Sequence, residues 1–344
     1  MKLDIAGKNI WQVGSGDDTR PYDDLCLKFG IAMVGPGYCG DVRLPENVKA
    51  YKDEGETDWG SYLRQVKKGH FIILRKGRKK IVAVGKVLKE YEYSNLLSDI
   101  HGWDLQHYIG VEWYVPVKQI EFSGTPLAMS TLAGVNSVDV IDRISDEEFK
   151  AYQGENIDLS KLAIPKKIGT SDVSHSLVDY GIRIQDAENI SNTIERIIKL
   201  AHWYNQNDCE VLEHEIRTFL VIPLLISLGW SEQKIKIEYN KIDVAIFSKP
   251  FKGNYKESPK IIIETKRFHD GLHYATEAAK YYAKEYQDCT LLIATNGCRY
   301  KLYEKNGDTF IESGYLNFFD MREHHYLDDN IYGAIQCLIQ MSSF

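Results

Sequence analysis

At 344 residues the chain is long enough for two domains of roughly 100–200 residues each, and 44% hydrophobic with 26% charged residues is an ordinary globular composition. No apolar run reaches the ~20 residues a membrane span needs, and the opening MKLDIAGKNI lacks the apolar core of a signal peptide, so a cytoplasmic protein without membrane contact is expected. A formal net charge of −7 excludes a general electrostatic pull on polyanions, so any nucleic-acid binding has to rest on local basic patches.

From residue 1 to about 122 the pattern is β-rich with long loops. Expected strands cover residues 9–13, 31–34, 70–74, 80–87 and 110–115, each a β-branched or aromatic run bounded by Gly, Pro or Asp. Residues 45–63 read as polar and irregular, residues 66–69 as a turn, and 146–152 as a short helix capped by Ser145. The stretch KLAIPKKIGTSDVSHS (161–176) reads as a linker. Residues 186–204 then carry Ile190, Ile194, Ile197, Ile198 and Ala201 at helical spacing. A second helix is expected from about 209 to 228, kinked or broken at Pro223. Strands at 235–239, 242–247 and 260–265, a helix at 272–286, a strand at 290–294, the Asn296–Gly297 turn and a strand at 299–304 complete the pattern. The expected organisation is a domain over 1–160, a linker and helical connector over 161–206, and a second domain over 207–344. Six cysteines (Cys26, Cys39, Cys209, Cys289, Cys298 and Cys337) form no CxxC pair, as for reduced thiols, and no zinc site is indicated.

The strongest chemical signal is IDVAIF (242–247) followed by IIIETK (261–266). Side chains alternate along a strand, so Glu264 and Lys266 share one side. Charges at the end of an apolar strand are costly unless paired or used, and Asp243 interrupts the preceding strand in the same way. If the two strands pair as an antiparallel hairpin, Asp243 and Glu264 converge. Two such carboxylates suit Mg²⁺, with Mn²⁺ able to substitute, leaving positions for water and a phosphate oxygen. Lys266 would orient the attacking water. A third carboxylate is expected from the preceding helix. Glu213 has an ion-pair partner four residues on in Arg217, whereas Glu215 lies on the apolar stripe Val211–Glu215–Phe219–Ile222, so Glu215 is the expected ligand.

As an ordered set, EIRTFLVIPLLISLGW, IDVAIF, IIIETKRF, YAKEY and ATNGCRYKLY resemble the nuclease domain at the start of type I restriction motor subunits and related PD-(D/E)xK enzymes, over about residues 210–303. The resemblance implies a restriction-endonuclease-like α/β/α core with a mixed sheet. It gives the catalytic roles to Asp243, Glu264 and Lys266, with Glu215 as helix carboxylate. The family's QxxxY motif falls on Glu277 and Tyr281, so a carboxylate replaces the glutamine and Tyr281 is left as the implied DNA contact. Thr295–Asn296–Gly297 matches the family's turn. No Walker A sequence occurs, so the chain carries no ATP motor of its own.

The first part holds Trp11, Trp59, Trp103 and Trp113. In IWQVGSGDDTRPYDD a Gly/Ser/Asp loop follows an aromatic strand, and HGWDLQH gathers a tryptophan, an aspartate, a glutamine and two histidines. A metal site of His101, Asp104 and His107 would stand alone and is set aside. A flipped-base pocket suits the residues better: Trp11 or Trp103 would stack on an extruded cytosine, and Asp104 and Gln106 would read its edge. Arg75, Arg78, Lys79 and Lys80, with Arg64, Lys67 and Lys68, would hold phosphates. WQVG, DLCLKFGIAMVGPG, VKKGHFIILRKG, VAVGKV and GWDLQHYIGVEW resemble the EVE-like members of the PUA superfamily, over about residues 9–122, which implies a β-barrel-like reader akin to the SRA domain.

The combined expectation is an α+β or α/β protein of two domains acting as a modification-dependent (type IV) restriction endonuclease. Its partner would be double-stranded DNA carrying modified bases, with a homodimer forming on DNA. A non-catalytic binder of modified nucleic acid and an RNA-directed reader with a nuclease are the competing readings.

Overall fold

The computed structural model describes residues 1–55, 60–155, 157–207, 210–254 and 256–344. Trp59 and Cys209 lie outside the described residues. The chain divides into two units, Met1–Ile164 and Pro165–Phe344, each of mixed α and β structure.

In the first unit, β1 (Ile10–Gly14) is buried along its whole length between β3 (Phe71–Lys76), to which it is parallel, and β7 (Leu132–Gly134). β4 (Lys80–Tyr93) runs antiparallel to β3 and then to β5 (His107–Pro116), and register shifts between Val87 and Tyr91 bend it, so the sheet curls into a half-barrel. β2 (Ile31–Val34) closes one edge, while β6 (Ile120–Glu121) and β8 (Phe149–Ala151) add to β4 and β5. Two expectations fail here. The stretch 45–63 contains helices α2 (Pro45–Asp53) and α3 (Gly60–Gln65). Pro45 sits in the first turn of α2, where its missing N–H costs nothing, but Tyr51 is the one buried residue of that helix, so no apolar stripe announces it. The helix expected at 146–152 is instead the end of α4 (Val138–Asp146) followed by β8. Val140 and Ile144, four apart, pin α4 to the core, and Ser145 donates to Ile141 O inside the helix rather than capping a new one. Helix α1 (Asp23–Phe29) was not anticipated.

In the second unit six strands form a single mixed sheet. The hairpin β9 (Ile235–Tyr239) and β10 (Ile242–Ile246) turns through Asn240 and Lys241, both at positive φ. β10 pairs antiparallel with β11 (Ile261–Thr265), which is parallel to β12 (Leu291–Thr295). β13 (Arg299–Asn306) and β14 (Thr309–Asn317) follow as an antiparallel edge. Alternate residues of β10–β12 face two cores. Val244, Ile246, Ile261, Ile263 and Ile293 pack on one side, and Ala245, Phe247, Ile262 and Leu292 pack with Ala279 and Ala283 of α9 (His273–Ala283) on the other.

Of the expected connector over 161–206, all but residues 161–164 belongs to this unit. Helices α5 (Thr170–Asp179) and α6 (Ile184–Gln206) send Val173, Leu177, Ile190, Ile194 and Ile197 into the same core as Val244 and Ile263. An apolar stripe that long needs a surface to cover, and the sheet supplies it. The helix expected at 209–228 begins at Glu213 as α7 (Glu213–Ile216), widens into a π segment (Arg217–Val221) and ends as α8 (Ile222–Ser227). Pro223 cannot donate to Phe219 O four residues back. Arg196 of α6 donates to that oxygen instead, at 3.0 Å. Beyond the expected elements, α10 (Ala334–Met341) buries Cys337, Leu338 and Met341. Among the described residues no helix is long and apolar enough to cross a membrane.

Candidate functional site

The polar end of β10 and β11 buries two carboxylates, Asp243 and Glu264, inside the second unit. The register Val244↔Ile263 continues one step to set Asp243 opposite Glu264. Both are buried, Asp243 at 9% and Glu264 at 5% exposure. Glu264 Oε1 accepts from Asp243 N at 3.2 Å. Asp243 Oδ2 accepts from the backbone N–H and the hydroxyl of Thr265, both at 2.7 Å, and its Oδ1 accepts from Arg217 Nη1. Burial, and then the neighbouring Asp243, push the Glu264 carboxyl up to about 8, while Lys266 opposes that rise. The hairpin thus brings Asp243, Glu264 and Lys266 together.

The helix contributes Glu213, not Glu215. Glu213 Oε1 accepts from Lys266 Nζ at 3.2 Å. Glu215 folds back to accept from Leu212 N at 3.0 Å, closing the first turn of α7. The expected i,i+4 pair fails as well, because Arg217 turns to Asp243 and Glu238. The stripe through Glu215 is not the buried one: Phe219 is 46% exposed, and Ile216, Leu220 and Leu224 face the core.

A turn behind the site holds its frame. Lys266 N donates to Thr295 O at 2.9 Å. Asn296, almost fully buried, donates through Nδ2 to Phe268 O and Asp270 O and accepts through Oδ1 from Cys298 N and Arg299 N. Gly297 has φ +86°, and a Cβ there would lie 2.5 Å from Leu220 Cδ1, so both conformation and space require glycine. Tyr281 projects from α9 at 63% exposure, and Glu277 lies 3.9 Å from Lys280.

Among the described residues no group of three or more His, Cys, Asp and Glu side chains is gathered closely enough to hold a metal ion. Mg²⁺ does not need such a cage, since it binds through one or two carboxylates and completes its shell with water and phosphate. The Asp243–Glu264 pair fits that need: it sets two oxygen-bearing side chains next to each other, and the proximity that pushes the Glu264 carboxyl up is one a divalent cation would reverse.

In the first unit a cavity of about 470 Å³ is lined by Gly14, Gly16, Asp17, Arg75, Trp103 and Asp104, among others. Two of the four expected pocket residues, Trp103 and Asp104, therefore line it. Trp103 donates to Arg20 O at 3.0 Å, and the Arg20 guanidinium lies 3.8 Å from the ring centroid. Asp104 Oδ2 accepts from Gly37 N at 2.9 Å. The other two are placed elsewhere. Trp11 packs on His70 and donates to its Nδ1 at 3.1 Å. Gln106 is buried behind Gly37, where a Cβ would strike its Oε1.

Of the expected phosphate contacts, Arg75 is buried and spends its N–H groups on Gly77 O, Met129 O and Ser130 O, fastening a loop at the cavity rather than facing solvent. Arg78, though exposed, donates to Leu127 O; Lys79 is exposed; and Lys80 pairs with Lys76 and Glu121 in the sheet. A further network went unforeseen. His107, fully buried, contacts Pro36 O and the hydroxyls of Tyr51 and Tyr91, and burial holds it down to about 4, so it is neutral. With Tyr93 donating to Gly37 O, it fixes the loop that supplies Gly35 and Pro36 to the cavity wall.

No protein-family model, curated protein or solved structure matches the chain.

Proposed function

We propose that the chain is a divalent-cation-dependent endonuclease whose second unit cuts DNA and whose first unit recognises a modified base. The observation that carries the reading is the buried Asp243–Glu264 pair, with Lys266 and Glu213 beside it. Asp243 and Glu264 would hold Mg²⁺, or Mn²⁺ in its place, and the ion when bound neutralises phosphate charge and acidifies water. Thr265 fixes the Asp243 carboxylate through two hydrogen bonds. Lys266, positioned by Glu213 and by the backbone bond to Thr295, presents an ammonium that orients the attacking water and offsets charge on the phosphate.

The first unit's cavity supports the reader. About 470 Å³ accommodates an extruded base, Trp103 supplies an aromatic wall, and Asp104 and Asp17 supply acceptors for an amino edge. A 5-substituted cytosine is the favoured ligand class. Joining reader and cutter in one chain raises the cutter's local concentration near modified sites, so selectivity need not reside in the nuclease. A double-strand break needs two such centres, hence two copies of the chain on DNA.

Duplex DNA carrying cytosine, 5-methylcytosine or 5-hydroxymethylcytosine, incubated with the protein and Mg²⁺, tests this. Cleavage confined to modified DNA is expected. Survival of all three substrates in both Mg²⁺ and Mn²⁺ would overturn the nuclease, and equal cleavage of all three would overturn the reader.

A further inference from the structure

Arg217 is held at the candidate centre by two carboxylates. Its side chain is 12% exposed, and Nη1 donates to Asp243 Oδ1 while lying 2.7 Å from Glu238 Oε1. Three features make this more than a structural ion pair. Asp243 Oδ2 already accepts two hydrogen bonds from Thr265, so Oδ1 is the oxygen left to face a cation, and Arg217 sits on it. A guanidinium keeps its charge at any working pH, so it cannot yield by losing a proton. Its second partner, Glu238, is 60% exposed near the end of β9 at φ +55°, outside the buried pair.

We propose that Arg217 is a built-in counterion that competes with the divalent cation for Asp243, with Glu238 as the position to which its guanidinium withdraws. In the cation-free protein Arg217 neutralises Asp243. A divalent ion at Asp243 would compete with the guanidinium for the same carboxylate, and the pair with Glu238 would let Arg217 move aside without being stranded. The centre therefore has a lowered cation affinity and forms only where cation, and the phosphate it accompanies, are both supplied. This inference rests on reading Asp243 as a cation ligand.

Titration of the full chain with Mn²⁺, followed by the loss of the free-ion electron paramagnetic resonance signal, tests it without cleavage. Relative to wild type, R217Q is expected to bind Mn²⁺ about tenfold more tightly, R217K to fall between, and E238Q to bind roughly threefold more weakly. D243N is expected to abolish the saturable site. Unchanged or weaker binding in an R217Q variant whose circular dichroism matches wild type overturns the competition. Should R217Q not fold, unchanged affinity in E238Q overturns it instead. Absence of saturable binding in the wild type removes the cation reading of Asp243 itself, and the competition with it. Binding lost in D243N but unaltered in R217Q removes the competition alone.

Discussion

The buried polar groups of the two units are treated in opposite ways. In the first unit they are met by neutral partners: Gln12 Oε1 accepts from Ala128 N, Arg75 donates to three carbonyls, and His107 is surrounded by tyrosine hydroxyls and Pro36 O. These are the fastenings of a curled sheet and its loops. In the second unit Asp243 and Glu264 are buried side by side, and Glu264 is driven up to about 8. Polar groups satisfied by neutral hydrogen bonds make framework, whereas two carboxylates buried side by side, one held by Arg217 and the other pushed up, point to a site that a cation can complete.

The sharpest way to break that contrast is to remove the conflict. D243N and K266A are each expected to lower cleavage at least about a hundredfold while leaving the fold intact by circular dichroism. Cleavage persisting near wild-type rates would show that the pair is framework after all. E264Q separates function from stability. The folded carboxyl sits near 8 against an ordinary 4.5, so the folded state holds the extra proton. The stability this lends is complete below about pH 4.5 and is lost as pH rises towards 8. Metal-free E264Q should therefore resist urea better than wild type at pH 8 and about equally at pH 4.5, while losing cleavage.

The framework side is tested by R75Q, which strands three carbonyls and is expected to destabilise the first unit by about 2–4 kcal/mol in denaturant unfolding. A neutral outcome would free Arg75 for a role in binding. The smallest effect belongs to E215A, expected to cost about 1 kcal/mol through the lost helix cap with cleavage retained. E213A should instead lower cleavage about tenfold by releasing Lys266.

The sequence made the second sheet legible because its strands are short β-branched runs, and a charge within such a run stands out. Asp243, Glu264 and Lys266 were found on that ground. Glu213 is not legible as a site residue because four-residue spacing pairs it with Arg217. The cap at Leu212 occupies Glu215, and Arg217 turns to a strand 26 residues on, which local spacing does not reveal. Arg75 sits in a run that looks like a solvated turn, yet a loop 54 residues later folds over it. Trp11 meets His70 across 59 residues in the same way. The stripe of α6 was legible as helix, but which core it joins depends on packing that no window of sequence contains.

Titration calorimetry of Mg²⁺ into the full chain at pH 7, in two buffers of different ionisation enthalpy, tests most directly whether the Asp243–Glu264 pair is the cation site. The account predicts saturable binding that displaces about one proton per ion, a release that disappears in E264Q. Binding heats independent of buffer in the wild type, or saturable binding that survives D243N, would contradict it.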